Sequence, residues 1–453
     1  MSVIPAYRLF LFIVFPLYDK VIHVQKNVAN KVSHCKRTET QMKKRVLHIT
    51  SCMFPAVSGT GQVAYDIASS LSRELYEQLI ICFNTADYTD VHYARNTKTV
   101  HEHLGDIPII RCGVSTCIAS QPISLSYPKE LKAALNEFRP DIVFFHAPCP
   151  FLAEFLLPFI RKGTFRFVLF WHSDIVKQKV LGKLFNHQNE QLLKYADKVI
   201  ATSPNYIDGS AFLRKHREKC VVIPCCIRDD EKTSTPEVDE LVNGIKSEYR
   251  NKIICFALGR HVHYKGFEYL IDSCRYLDDN YAVFIGSEGP LTDKLKEMAK
   301  NDPKIHFTGH LSSEELQAYY MACDVFCFPS ITKNEAFGLA LADALYYGKP
   351  AVTYKIEGSG VNYVNLDNIT GIECPNRDSR AFAQAITRLG QNPELRRQYG
   401  ENGRKRATEL FLFSRFQENI NRMIDELVDT KFCHATDTST MVGNRTPEGS
   451  TAP

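Results

Sequence analysis

From residue 45 onward the chain alternates short apolar runs with amphipathic stretches. RVLHIT, QLIICF, IPIIRC, DIVFFHA, RFVLFWH, KVIATS and CVVIP are rich enough in Val, Ile, Leu and Phe to read as buried strands. Between most of them the apolar positions take helical spacing, as in KELKAALNEF and GKLFNHQNEQLLKYA. Strands alternating with helices predict a parallel sheet covered on both faces. The rhythm pauses around residues 227–250, where RDDEKTSTPE is charged and carries Pro236, so a linker between domains is expected there. A second series of strands follows: KIICFALG, YAVFIGS, KIHFTGH, DVFCFPS and PAVTYKI. Its helices are GFEYLIDSCRYL, PLTDKLKEMAK, SEELQAYYMAC and AFGLALADALYY. The pattern predicts two open α/β domains of similar size. Ligands of such sheets bind beyond the carboxyl ends of the strands, so residues at strand ends, facing a cleft between the domains, are the candidates for function.

The two ends of the chain stand outside this pattern. LFLFIVFPLY is apolar over only about half of what a membrane-spanning helix needs. Asp19 and Lys20 follow it, with no clear cleavage site of the signal type. Met42 precedes KKRVLHIT, a typical opening for an α/β protein, so residues 1–41 are expected to lie outside the fold or to precede the true start. From Cys433 the text is polar and rich in Thr, Gly and Pro, and disorder is expected. The expected organisation is an extension over 1–41, a first domain over 42–228, a second over 229–410, a last helix over 411–432 and a tail over 433–453.

Composition narrows the function classes. Of 453 residues 44% are hydrophobic and 23% charged, as in ordinary globular proteins, and a net charge of +4 is too small to call for a nucleic-acid partner. Any basic patch is local. Lys and Arg outnumber Asp and Glu between Arg161 and Arg228, most densely in KQKVLGK (177–183) and RKHREK (214–219). Such a face either docks peripherally on anionic lipid or stays solvated. Cys82, Cys255 and Cys327 sit in apolar runs and read as buried thiols. No opposed Cys-x-x-Cys pairs suggest zinc, and the adjacent Cys225 and Cys226 do not suit a structural disulfide. A reducing, cytoplasmic location is expected.

Four strand-end motifs carry chemistry. Glu335-Ala-Phe-Gly-Leu-Ala-Leu-Ala-Asp343 follows the strand DVFCFPS. The segment is expected to open a helix with Glu335 at its start, so the eight-residue spacing brings both carboxylates near one face, and the first-turn amides of Phe337 and Gly338 point outward, free to donate. Sugar hydroxyls and phosphate oxygens need such acceptors and donors. A first-turn acid that only complements the helix dipole would leave the same text. Gly259-Arg260 ends KIICFAL, with Lys265-Gly266 shortly after; a guanidinium fork and an ammonium suit a pyrophosphate. The chain has no Asp-x-Asp to hold a metal on a departing diphosphate, so this cationic pair is the expected substitute and no metal is expected. Ser58-Gly59-Thr60-Gly61 lies between the first strand and its helix, where glycines let backbone approach a phosphate, although it is not GxGxxG. Trp171-His172-Ser173-Asp174 ends RFVLFWH, so His172 either faces the cleft or fills the core. Consecutive side chains diverge and no nucleophile elbow is present, so this is not a Ser-His-Asp triad.

Taken together, SGTGQVAYDIASSL, FWHSDIVKQK, ALGRHVHYKGFEYLI, FIGSEGPL, FTGHLSSEELQAYYMACDVFCFPS and NEAFGLALADALYYGKPAV resemble the retaining GT-B glycosyltransferases of family 4, over roughly residues 44–428. The resemblance implies two Rossmann-like domains facing across a cleft and a sugar nucleotide as donor substrate, with no cofactor. It gives Arg260 and Lys265 to the pyrophosphate, Glu335 with the amides near Phe337 and Gly338 to the transferred sugar, and Asp343 to the ribose. The Gly59–Gly61 loop would approach the distal phosphate, His172 would line the sugar pocket, and Gly286–Gly289 with Thr308–His310 would lie near the nucleoside. FLFSRFQENINRMIDEL resembles the helix that crosses back to the first domain. Two positions depart from the family: the second carboxylate is Asp343 where Glu is usual, and Cys225-Cys226 replaces the usual Asn-Gly. HSDIVKQK and the SGVNYV after GKPAVTYKIEG resemble a mannosyltransferase-like subgroup acting in surface polysaccharide assembly, which implies GDP-mannose as donor, with UDP sugars close behind, and a saccharide acceptor, plausibly lipid-linked. Two other functions share these motifs: a catalytically silent nucleotide-sugar-binding subunit and a GT-B nucleotide-sugar epimerase.

Overall fold

The computed structural model describes residues 43–54, 58–85, 96–118, 121–174 and 181–429, without the side chains of 181–184. The expectations for residues 1–41, the start at Met42, the tail 433–453 and most of KQKVLGK lie outside these residues.

The first half is an eight-stranded sheet. Its strands are β1 (Lys44–Ile49), β2 (Tyr76–Phe83), β3 (Val100–Leu104), β4 (Ile107–Cys112), β7 (Ile142–Ala147), β8 (Arg166–Trp171), β9 (Lys198–Ala201) and β10 (Cys220–Val222), while β5 (Thr116–Ile118) and β6 (Gln121–Ile123) form a separate hairpin. The spatial order is β10-β9-β8-β7-β1-β2-β4-β3, parallel except for the β3–β4 pair. The second half is a six-stranded parallel sheet of β11 (Ile253–Leu258), β12 (Tyr281–Gly286), β13 (Ile305–Gly309), β14 (Val325–Phe328), β15 (Ala351–Tyr354) and β16 (Gly371–Cys374), in the order β13-β12-β11-β14-β15-β16. In each half the chain reverses its direction of progress across the sheet at one switch point. In the first half that switch falls between β1 and β7, in the second between β11 and β14, and a crevice opens there beyond the carboxyl ends.

Every strand named from the apolar runs is present. Four strands were not named: β5, β6 and β16 are only three or four residues long, and β3 is VHEHL, an antiparallel edge strand with three exposed residues in its middle. The expected linker is corrected in part. Residues 236–248 form a helix, opened by the Thr235 side chain accepting from the Val238 amide, with Pro236 in the first turn. Its Val238 and Val242 are buried against the helix Ser313–Ala322. Cys82, Cys255 and Cys327 are buried free thiols.

One apolar core runs through both halves, from Val46 and Phe144 in the first sheet to Phe256 and Phe326 in the second. The last helix, Phe413–Asp429, is strongly amphipathic and buries Phe416, Ile420, Ile424 and Leu427 in this core. It lies against the helix Gly59–Ser70 of the first half, where Gln417 and Asn421 both donate to the Ser70 carbonyl. Among the described residues no helix is long and apolar enough to cross a membrane.

Candidate active site

The loops that follow β11 and β14 meet at the switch point. Gly266 has φ +66°, and a Cβ there would stand 2.2 Å from the Pro329 carbonyl oxygen, so only glycine lets the two loops close up. That approach sets Lys265 against Glu335, with Nζ 2.5 Å from Oε2 and only 14% and 11% of the side chains exposed. The same oxygen accepts a hydrogen bond from Ser330 Oγ at 3.0 Å. The ammonium also stands over the rings of Phe328 and Tyr264, 5.0 and 5.6 Å from their centroids. Burial by itself lowers the pKa of Lys265, but the Glu335 charge, Tyr264 and the direct hydrogen bond to Glu335 outweigh it and leave it raised. Gly259 lies against the lysine stem, where a Cβ would be 3.2 Å from Cε. Arg260, next to it, is exposed and has no side-chain partner among the described residues.

The segment after β14 corrects one expectation. The helix begins at Leu339, so Glu335 belongs to the loop before it rather than to its first turn. The two carboxylates therefore do not share a helix face. Asp343 sits in the helix and pairs with Lys232 of the linker at 3.0 Å, not with the Lys265–Glu335 pair. What holds Glu335 is backbone anchoring. Its carbonyl accepts from Ser359 Oγ at 2.5 Å, and the next carbonyl, of Ala336, accepts from Thr202 Oγ1 of the first half at 3.0 Å. A Cβ on Gly360 would fall 2.0 Å from the Ala336 oxygen, which explains glycine in the SGVNYV text. Phe337 is buried edge-on against Phe411. Gly338 caps the helix at φ +98°. The amides of Phe337 and Gly338 have no protein acceptor among the described residues and remain as donors.

The first half contributes the opposite wall. Ser58 caps the helix Gly59–Ser70 by accepting from the Gly61 amide at 3.0 Å, so Gly59 and Gly61 form a helical first turn rather than a free loop. Asp174, beyond β8, accepts from Trp171 Nε1 at 3.0 Å and Ser210 Oγ at 2.8 Å. It is bridged across the cleft by Lys333 Nζ at 2.7 Å, which also donates to the Gly209 carbonyl. His172 is half-buried, and its Nε2 lies 2.9 Å from His146 Nδ1. Burial lowers its pKa to about 3, so it is neutral. In the second half, Gly286 ends β12 and the Ser287 amide donates to the Gly309 carbonyl at 2.7 Å, which joins the two loops expected near a nucleoside. Gly289 presses on His261, whose backbone nitrogen would be 2.7 Å from a Cβ. In the basic stretch, Lys215 pairs with Glu190, Arg217 with Asp208, and Lys219 donates to the carbonyls of Leu193 and Lys194.

Lys333, Ser359, Thr202, Lys232 and His146 were not singled out from sequence. Lys333 alone had a signal, its place in the loop directly before Glu335. The others act through contacts between segments far apart in the chain.

The cross-cleft bonds Lys333–Asp174 and Thr202–Ala336 join the loops beyond the carboxyl ends of β8, β9 and β14, so the carboxyl ends of both sheets face one cleft. Two doubly wound halves opposed in this way define the GT-B class of transferase. The comparisons agree. Residues 57–231 match the family described as Glycosyltransferase Family 4, and residues 241–406 match Glycosyl transferases group 1. The chain is 29% identical over 391 residues to O-antigen chain mannosyltransferase C of Escherichia coli, covering 85% of this chain and 100% of that protein. It is 31% identical over 373 residues to D-rhamnosyltransferase WbpZ of Pseudomonas aeruginosa, covering 81% of this chain and 92% of that one. The structure of sucrose-phosphate synthase from Thermosynechococcus elongatus superposes with a TM-score of 0.69 at 18% identity, over 86% of this chain and 100% of that chain, a likeness of fold. The chain belongs to the family 4 GT-B glycosyltransferases and is a transferase enzyme.

Proposed function

We propose that the protein is a retaining transferase that moves mannose from GDP-mannose to a saccharide acceptor, lipid-linked, in the assembly of a surface polysaccharide. The observation that carries this reading is the Lys265–Glu335 pair, set between two strand ends beside the open Arg260 and the free amides of Phe337 and Gly338. Arg260 and Lys265 would take the pyrophosphate, and Glu335 the hydroxyls of the transferred sugar. The donor's C1–O bond to phosphate breaks while the acceptor oxygen bonds to C1 on the same face. The acceptor proton leaves with the departing phosphate oxygen. Charge developing on that phosphate meets two cations and a helix N-terminus, which is electrostatic stabilisation supplied by the protein, without a metal. Lys232 holds Asp343 through one carboxylate oxygen and the other would take the ribose, so its role is to be tested separately from that of Glu335.

The choice of sugar is supported by the two relatives, named for mannose and for D-rhamnose. These sugars share one ring configuration and differ at carbon 6. The test is a panel of GDP- and UDP-linked hexoses, each incubated with and without a saccharide acceptor and with and without EDTA. Transfer from GDP-mannose, unchanged by EDTA, is expected. Transfer from UDP sugars alone would overturn the donor, loss of transfer with EDTA would overturn the metal-free mechanism, and donor epimerisation would overturn the reaction.

A further inference from the structure

The carboxyl ends of β7 and β8 carry two histidines whose rings meet. His146 is 1% exposed and lies flat on Phe170, ring centroids 5.6 Å apart with planes 14° apart. His172 covers the same phenyl ring at 4.4 Å and stands 5.2 Å from the ring of His146. A single hydrogen bond joins them, between His146 Nδ1 and His172 Nε2 at 2.9 Å. The far nitrogen of His146, Nε2, is buried and has no partner among the described residues. His172 Nδ1 is not among the buried unpartnered atoms and makes no hydrogen bond to the described residues, so it is the ring nitrogen left open to a ligand.

Counting protons decides which way the shared bond runs. A neutral imidazole has one N–H and one bare nitrogen. Were His172 to donate from Nε2, His146 would carry its proton on Nε2 and bury an N–H with nothing to receive it. Were His146 to donate from Nδ1, the orphan would be a bare acceptor. Buried backbone N–H groups without partners are rarer than under-satisfied acceptors, and the same preference carried over to the ring favours the second arrangement. Burial also holds both rings neutral, His146 well below the usual histidine value and His172 near 3, which removes the imidazolium as a third arrangement at neutral pH.

Resting on the reading that His172 faces the transferred sugar, we propose that His146 is a positioning residue whose Nδ1–H fixes His172 in the tautomer that presents its own Nδ1–H to the cleft. His172 then donates to a sugar or phosphate oxygen. It has no bare nitrogen facing the substrate with which to take the acceptor's proton.

The test pairs spectroscopy with kinetics on the full chain. Nitrogen-15 NMR of histidine-labelled protein should find His172 protonated at Nδ1 and bare at Nε2. In His146→Phe that preference should be lost. An amide at position 172 separates the tautomers kinetically, since Asn places its N–H where Nδ1 stands and Gln where Nε2 stands. His172→Asn should keep more transfer activity than His172→Gln. His146→Asn should keep both the tautomer and the activity, whereas His146→Phe should lose about tenfold in kcat/KM, the scale of one hydrogen bond. A wild-type His172 protonated at Nε2, or a Gln variant better than Asn, would overturn the proposal. If no donor is turned over, the proposed function fails, and the NMR result still decides the tautomer by itself.

Discussion

Replacing Glu335 with Gln keeps the side-chain shape and removes the charge, leaving the Lys265 ammonium mostly buried without a counter-ion. Breaking one side of a buried ion pair costs about 3–5 kcal/mol. The Gln oxygen still accepts from the ammonium, so the low end, about 3 kcal/mol at neutral pH, is expected. The two halves share one core, so a single transition over about 390 residues is expected; each kcal/mol then moves the midpoint by about 1 °C, and the midpoint should fall by about 4 °C. The pH dependence identifies the cause. In the wild type the pair raises Lys265 above its ordinary 10.5, so its contribution is intact below 10.5 and is lost only as the pH climbs through the raised value. In Glu335→Gln the opposing charge is gone and burial remains, which depresses the lysine. Between that depressed value and 10.5 the unfolded chain binds the proton and the folded chain does not, so the variant gains stability with pH, by about 1.4 kcal/mol per unit. The gap to wild type should narrow as the pH rises through the depressed value towards 10.5. Lys265→Met added to Glu335→Gln removes the titrating group, so the gap of the double variant should be flat with pH and smaller at neutral pH. Calorimetry of the three proteins over a pH series decides the matter. A Glu335→Gln gap that does not change with pH, or a double variant as unstable as the single, would refute the buried pair.

Two further outcomes separate binding from folding. Arg260→Ala removes an exposed side chain with no partner among the described residues, so stability should change by less than about 0.5 kcal/mol while calorimetric affinity for a nucleoside diphosphate drops about tenfold; equal affinity would remove Arg260 from the pyrophosphate site. Gly209→Ala puts a Cβ 2.2 Å from Gly358 Cα, where the halves touch, so kcat/KM should fall at least about tenfold while circular dichroism shows the fold retained; unchanged turnover would mean that this contact is not needed for closure.

The sheets were legible in the sequence because a strand buried on both faces must be apolar throughout, as in LIICF and VFCF. The edge strand β3 was not, since its outward His101, Glu102 and His103 carry no burial signal. The Lys265–Glu335 pair was legible as two strand-end motifs, because strand order alone brings the ends of β11 and β14 together. The starting point of the next helix was not. Apolar spacing from Ala336 onward looks helical, yet Gly338 at positive φ delays the helix to Leu339 and turns Glu335 into a loop residue. The pairing of Asp343 with Lys232 was hidden as well, since the linker that supplies Lys232 read only as a charged stretch.

The loop that delays the helix is also where the halves meet, and this ties grip to closure. Lys333 holds Asp174 and the Gly209 carbonyl of the first half, and Thr202 of the first half holds the Ala336 carbonyl. Glu335 lies between these two anchors, with its own carbonyl fixed by Ser359 and its carboxylate by Lys265 and Ser330. Opening the cleft breaks the Lys333 and Thr202 bonds on either side of Glu335 and leaves it held from the second half alone. A ligand that needs Glu335 in its observed place therefore favours the closed arrangement, and closure favours that ligand by the same factor, because coupling between two equilibria is reciprocal. Had a helix begun at Glu335, its first turn would have fixed the carboxylate whatever the position of the other half, and no such coupling would follow.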